Sequence, residues 1–374
     1  MPRIGKSLAA VSLALVVAGC GASTGSSSPS TALTAAASSG TAPSSSGKSA
    51  ASSGIAGNIQ PGVVTDIGGL GDRGFNDLAK TGMDQADQQH GLKGKVLVPQ
   101  TPADYTNDLD QLARSGAQPV FGVGFSLADA VKTVAQKYPR TRFGLVDSTV
   151  DLPNVTSLLF KEQEGSFLAG VVAGDMTTVK TAFTDPTNKV VGFIGGQDAP
   201  LIEKFGAGYE QGVKSVCPDC TVLYQYVGTT TEAFSNPAAA AEIARDMHTK
   251  GADVIYHAAG GSGDGLFKVA TDQKFFAIGV NTDQAATNPQ APILTSMLKR
   301  VDTAVSTTIS AAVSGKPTSG PVTYGLANKG VGLAGFGRFT TVVPANVKQA
   351  VTDATKKIIS GQIKVATARA AEGK

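Results

Sequence analysis

The chain has 374 residues, of which 41% are apolar and 16% charged, with a formal net charge of +3, three Cys, three His and no Trp. A charge this small, with Lys and Arg never gathered into a stripe, argues against nucleic acid as a partner. Besides Cys20, the cysteines are only Cys217 and Cys220, in "CPDC". With no second C-x-x-C and with His90, His248 and His257 scattered, no metal-ligand spacing is found.

The first twenty residues read as an export signal. Arg3 and Lys6 precede an apolar run from Leu8 to Ala18, too short to span a bilayer as a mature helix. The run closes on Val17-Ala18-Gly19-Cys20, which resembles the bacterial lipobox. There Cys20 would be acylated and become the mature N-terminus, anchoring the chain at the outer face of the cell membrane. Residues 21–57 are almost wholly Ser, Gly, Ala, Thr and Pro, with one charge at Lys48. Such a stretch buries too little apolar surface to offset its chain entropy and is expected to act as a flexible tether.

From residue 58 onward short apolar, β-rich runs alternate with amphipathic stretches. The strand candidates are "PGVVTD", "KVLVP", "PVFGVG", "RFGLVD", "TSLLF", "VVGFIG", "TVLYQY", "ADVIYHAA" and "FFAIGV". Helices are expected at Phe75–His90, Ala103–Ser115, Ser126–Tyr138, Glu164–Thr177, Pro200–Val216, Pro237–Lys250 and Gly263–Gln273. Continuously apolar strands mean a sheet buried on both faces, and intervening helices mean parallel crossovers. The α/β pattern runs twice, over about 58–151 and 189–282. Two doubly wound lobes joined by several chain passes leave a cleft, with the carboxyl ends of both sets of strands on its walls. In "CPDC" a local disulfide across the turn, or two free thiols, suits an exported protein.

Six segments carry a family in order and spacing: "VTDIGGLGDRGFND", "LLFKEQEGSFLAGVVAG", "VVGFIGGQDAPLIEKFGAGYEQGVK", "ADVIYHAAGGSGDGLF", "AIGVNTDQ" and "TSMLKRVD". Together, from about Val63 to Ala334, they resemble the basic membrane protein family, nucleoside-binding lipoproteins that serve ABC transporters. The resemblance implies a type I periplasmic-binding-protein fold: two Rossmann-like lobes, a hinge, and a cleft that closes on a purine nucleoside. The first lobe is expected over 58–160 plus about 286–320, the second over 161–285 plus about 321–374. A permease and its ATPase are the implied partners, and the chain is expected to act as a monomer without cofactor or metal.

The site residues follow from motif positions. Asp66, at the carboxyl end of the first strand, can accept hydrogen bonds from vicinal ribose hydroxyls, and Gly68, Gly69 and Gly71 let the backbone approach a ligand. Phe75 and Asn76 lie at a helix entrance, where Phe75 offers a face for a base. Read without the resemblance, Phe75 is equally a hydrophobic staple and Asp66 a turn former. Asp147 ends "FGLVD" and in the family contacts the base; capping the turn before "STVDLPN" is the competing account. Gly261 and Gly263 in "AAGGSGDG" can offer backbone N–H groups or simply make a tight turn. Asp283 is expected at the cleft rim, and Asn281 stands where the family usually has Asp. Lys299 is carried over as a cleft cation, with neighbouring Arg300 as the other possibility. A second aromatic wall is assigned to Phe234, while Phe205, inside an amphipathic helix, reads as core packing.

An enzyme is poorly served: there is no G-x-S-x-G elbow, no Cys–His pairing and no Asp cluster for a nucleoside hydrolase. Other readings keep the fold and change the use. A tethered sensor for a signalling partner is one, and a binder of another small ligand such as a sugar is the other. Sugar binders usually offer Trp, and this chain has none.

Overall fold

The computed structural model describes residues 59–369. The export signal, Cys20 and the 21–57 tether lie outside the described residues. The first sheet is built from β1 (Gly62–Val64), β2 (Lys95–Leu97), β3 (Val120–Val123), β4 (Phe143–Val146) and β5 (Val155–Phe160). Between them run α1 (Phe75–His90), α2 (Tyr105–Arg114) and α3 (Ala128–Lys137). A long helix, α4 (Glu162–Met176), leads to the second sheet: β6 (Val190–Gln197), β7 (Thr221–Gly228), β8 (Ala252–Ala258) and β9 (Phe276–Asn281). Its helices are α5 (Pro200–Val216), α6 (Pro237–Thr249), α7 (Gly263–Gln273) and the short α8 (Gln284–Thr287). Then come β10 (Ile293–Lys299), α9 (Val301–Val313), β11 (Gly320–Tyr324), β12 (Val331–Leu333) and α10 (Ala345–Ile359).

The first sheet has the order β2-β1-β3-β4-β5-β11 and is wholly parallel. The second repeats it as β7-β6-β8-β9-β10-β12, with only the edge strand β12 antiparallel. In each, the strand order reverses beside the first strand of the run. The switch points therefore fall between β1 and β3, and between β6 and β8. Outside the carboxyl ends of such strands the helices diverge and leave a crevice.

The lobe crossings differ from those expected from the sequence. The chain leaves the first sheet after β5, but β10 still pairs with β9 in the second, so the return comes after Lys299 and not near residue 286. β11 then pairs with β5 in the first sheet, so the last crossing follows Tyr324 rather than residue 320. "PILTSMLK" carries Thr295 and Ser296 on opposite faces, both buried, so neither face marks its sheet; only its hydrogen-bonding partner decides. Three chain passes thus connect the lobes.

Two helix pairs pack with their backbones nearly touching. α4 is buried on nearly all sides, as an apolar helix without a polar stripe must be. It crosses α5 where Gly170 faces the Tyr209 carbonyl and Gly212 faces the Phe167 carbonyl, and a Cβ on either glycine would overlap the opposing backbone. In the same way Gly82 lets α1 cross α9 against the Asp302 carbonyl. α1 ends at Gly91, whose φ of 67° supplies the left-handed turn that closes helices. Cys217 and Cys220 are joined in a disulfide beyond the end of α5. At the chain's far end Arg369 pairs with Glu203 at 3.1 Å and lies 4.0 Å from the Tyr224 ring centroid, so the start of the tail is packed onto α5.

Candidate ligand-binding cleft

A cavity of about 260 Å³ opens between the two switch points. This lies just below the range of about 300–1,000 Å³ usual for small-molecule sites and sets a limit on the size of an occupant. From the first lobe its wall includes Asp66, Phe75, Asn76, Phe125 and Asp147; from the second, Phe205, Phe234, Gly261, Asn281 and Lys299. Each lies at or just beyond the carboxyl end of a strand, except those near the start of α1 and α5.

The β1–α1 loop is wired by carboxylates. Asp66 Oδ1 accepts from the Gly68 N–H at 2.8 Å and from Asn76 Nδ2 at 2.8 Å. Asn76 Nδ2 also donates to Asp72 Oδ2 at 3.2 Å, and its Oδ1 accepts from the Asp66 N–H. The side chain of Asn76 is thus used up in aiming Asp66 and leaves Asp66 Oδ2 as that carboxylate's remaining acceptor. Burial lifts the Asp66 pKa to about 6, against the pull of its hydrogen bonds to Asn76 and Gly68. Gly124, with φ of 111°, brings β3 up beside Asp66 and the Phe75 ring, a conformation side chains other than glycine's rarely adopt.

The floor of the cleft is a buried ion cluster. Lys299 is 1% exposed, yet its Nζ lies 2.6 Å from Asp147 Oδ2 in the other lobe and 3.0 Å from Glu162 Oε1 at the start of α4. The rings of Phe75, Phe160 and Phe205 surround the ammonium, with centroids 5.3, 4.9 and 5.5 Å from Nζ, inside cation–π range. Burial opposes the charge on Lys299, but Asp147 and Glu162 outweigh it and hold the pKa above the ordinary lysine value. Asp147 is raised to about 6, chiefly by burial, with Lys299 pulling down and Glu162 pushing up. Asp147 Oδ1 has no hydrogen-bond partner. Asp147 and Asn281, ending β4 and β9, both hold positive φ, 70° and 69°. Such strain in non-glycine residues concentrates at functional sites.

Phe234 sits in a 3-10 turn after β7, its ring lying on Gly196, where a Cβ would overlap it. Ser262 ties this turn to the glycine turn after β8: its hydroxyl donates to the Ala233 carbonyl at 2.7 Å and accepts from the Asn236 N–H at 2.7 Å. At the mouth the lobes touch through Arg73, which reaches Asp264 and Asn288, each at 3.3 Å, while Thr282 Oγ1 donates to the Arg73 carbonyl at 2.9 Å.

Among the residues singled out from the sequence, Asp66, Phe75, Asn76, Asp147, Phe234, Gly261 and Lys299 line the cavity. Gly263 and Asp283 do not. The space where Gly263 would carry a Cβ is filled by the His257 ring, so this glycine serves packing. Asp283 is exposed two residues past β9 and precedes α8; the wall position belongs to Asn281. Arg300 pairs with Asp302 rather than entering the cleft. Phe205 is both core and wall, because the first turns of α5 lie at the cleft. Glu162 has little signal in the sequence, being only an acidic residue two positions past a buried strand, at the start of a helix. His257 is buried and bound to Gln284 at 3.0 Å, its pKa lowered to about 4 by burial, which marks it as structural. No cluster of metal-ligating side chains occurs among the described residues, and no described helix is long and apolar enough to cross a membrane.

Two doubly wound lobes around an aromatic and acidic cleft define a solute-binding protein, and the solved structures agree. A solute-binding protein of an ABC transporter system from Aeropyrum pernix superposes with a TM-score of 0.75 at 29% identity, covering 84% of this chain and 95% of its own. Residues 59–368 match the family model described as ABC transporter substrate-binding protein, PnrA-like, and the chain belongs to that family. It is therefore an extracytoplasmic substrate-binding protein that works with an ABC transporter, not an enzyme. Among relatives, a CD4+ T-cell-stimulating antigen of Listeria monocytogenes is 36% identical over 81% of this chain and 87% of its own. The ABC transporter nucleoside-binding protein BmpA of Lactococcus lactis subsp. cremoris is 35% identical over 82% and 89%.

Proposed function

We propose that this chain captures a purine nucleoside for an ABC importer, as a lipoprotein anchored through Cys20. The observation that carries the ligand is the pairing, in one small cavity, of aromatic walls from both lobes with two carboxylates, Asp66 and Asp147. A base has two π faces for Phe75 and Phe234, and N–H groups on its edge for Asp147; ribose hydroxyls suit Asp66. A guanine or hypoxanthine edge carries the N1–H that an adenine edge lacks. The nucleoside-binding name of the Lactococcus relative supports the same class. Binding draws on both lobes at once, so it favours the closed arrangement that Arg73 and the Asp147–Lys299 pair bridge. The closed form then docks on the permease.

Calorimetric titration of residues 55–374, refolded to remove carried-over ligand, tests this with guanosine, inosine, adenosine, cytidine, uridine and ribose. Tight binding of a purine nucleoside with ribose silent is expected. Silence across the panel would overturn the ligand and leave the family assignment standing. Phe75→Ala is expected to weaken guanosine binding by about 5- to 150-fold, the loss of roughly 1–3 kcal/mol of stacking, in a variant that still folds. The same affinity in the variant would remove Phe75 from the site.

A pH dependence follows as well. Asp66 and Asp147, both near 6, are ionised acceptors above that pH and protonated below it. The proton then competes with the ligand's donors. Affinity for guanosine is expected to be level above about pH 7 and to fall below 6, by at most about tenfold per pH unit for each carboxylate. Titrations at pH 8 and 5 that gave one dissociation constant would rule out carboxylate recognition.

A further inference from the structure

We propose that Arg73, a residue outside the cavity wall, is the clasp of the cleft: it fastens the loop at the cavity mouth to the second lobe and so sets how long the closed protein keeps its ligand. The inference rests on the reading of the cleft as a ligand site, and it concerns retention rather than recognition.

The loop between β1 and α1 holds positive φ at Gly69, 63°, at Gly71, 89°, and at Arg73, 48°. Glycine enters that region freely, whereas a side chain as long as arginine's is uncommon there. Asp77, in the first turn of α1, braces the turn: its carboxylate accepts from the N–H groups of Gly71 and Arg73, each at 2.9 Å. Non-glycine residues persist in this conformation where their surroundings over-determine it, and they gather at functional sites. Leu70, Gly71 and Asp72 of the same loop line the cavity, so the turn that carries Arg73 is part of the cavity's rim.

The second lobe supplies a fixed catch. Arg73 Nη2 donates to Asp264 Oδ2 in the first turn of α7, and Nη1 donates to Asn288 Oδ1 just past α8, both at 3.3 Å. Asn288 is held in place by its own Nδ2, which donates to the Gln284 carbonyl at 3.1 Å and leaves Oδ1 for Arg73. Arg338 ties down the chain that follows, donating to the carbonyls of Pro289, Gln290 and Ala291. The backbone of the loop meets the second lobe as well. Thr282 Oγ1 donates to the Arg73 carbonyl at 2.9 Å, and a Cβ on Gly74 would stand 3.5 Å from Asn281 Nδ2. Opening the lobes separates these groups, so the contacts must break before a ligand leaves. The side chains of Arg73 and Asp264 are 50% and 45% exposed, which keeps their pairing modest. A modest catch suits a protein that must release its ligand to a transporter.

Arg73→Gly tests the clasp, because glycine adopts this turn without strain and keeps the carbonyl that Thr282 reaches; only the side chain is lost. The full chain in detergent is loaded with radiolabelled guanosine and chased with unlabelled guanosine. The dissociation rate is expected to rise about 3- to 10-fold, the scale of one exposed ion pair and one hydrogen bond, with the association rate little changed. Asp264→Ala should raise dissociation in the wild-type background and leave it unmoved in Arg73→Gly, since the two residues act through one contact. A dissociation rate unaltered in Arg73→Gly overturns the proposal. So do two substitutions whose effects multiply independently. Should wild type ignore guanosine, the nucleoside reading falls and the clasp is read without ligand. Gln100→Cys and Glu232→Cys, exposed positions on either side of a groove between the lobes, then carry spin labels for pulsed dipolar distance measurement. A larger fraction of long distances in Arg73→Gly than in its parent keeps the clasp, and identical distance distributions overturn it.

Discussion

Lys299→Met is expected to lower the melting temperature by roughly 6–20 °C at pH 8. Methionine fills the space among Phe75, Phe160 and Phe205 but leaves Asp147 and Glu162 facing each other with no buried cation between them. Breaking a buried pair by removing one partner costs about 3–5 kcal/mol, because an uncompensated charge stays behind. For a body of this size each kcal/mol is worth about 2–4 °C. The sign of the pH dependence distinguishes this cause from lost packing. Asp147 titrates near pH 6 in the wild type, and without Lys299 it holds its proton to higher pH, so acidification neutralises the stranded pair. The gap between variant and wild type should close as pH falls from 8 to 5. A constant gap in scanning calorimetry would point to packing, and no gap at pH 8 would mean that Lys299 is not charged there.

The second large effect belongs to the α4–α5 contact. Gly170→Val places a branched Cβ on the Tyr209 carbonyl, a backbone atom that no rotamer change can move aside. The helices must separate, opening the core around Phe167 and Tyr209, which are both buried. Overpacking usually costs about 1–3 kcal/mol, and a backbone collision belongs at the top of that range. Denaturant unfolding of Gly170→Val should show a midpoint shift of that size; a variant as stable as wild type would mean that the helices do not cross this closely. Gly82→Val, at the α1–α9 crossing, is a parallel case with the Asp302 carbonyl.

Much of the layout could be read before any coordinates. α1, α5 and α7 begin and end where the periodicity and the flanking Gly and Pro place them. Both runs of strands are where apolar β-rich stretches predicted. Local signals suffice there because each element's boundary is written in its own residues: Pro200 opens α5, and Gly91 closes α1 with the left-handed turn that favours glycine. The cleft residues were legible for a related reason. In a doubly wound sheet the carboxyl ends of the strands border the crevice, so Asp66 and Asp147 follow from their strands, whereas Lys299 follows from its place in the family motif "SMLKRVD".

What local residues determined by themselves was therefore the run of elements, the doubling of the fold and the strand ends that face the cleft. Only the tertiary structure decided which sheet takes β10 and β11, because pairing is a property of two strands and neither carries the other's address. It also decided that Asn281, and not Asp283, stands in the wall, since the positive φ at the end of β9 turns the chain there. Phe205 divides between core and wall by where α5 starts, not by its period. Glu162 is the clearest case. Its charge is tolerable in the interior only because Lys299, 137 residues away in sequence, arrives at 3.0 Å. A buried ion pair between distant elements has no local pattern; its stability comes from partners that folding brings together.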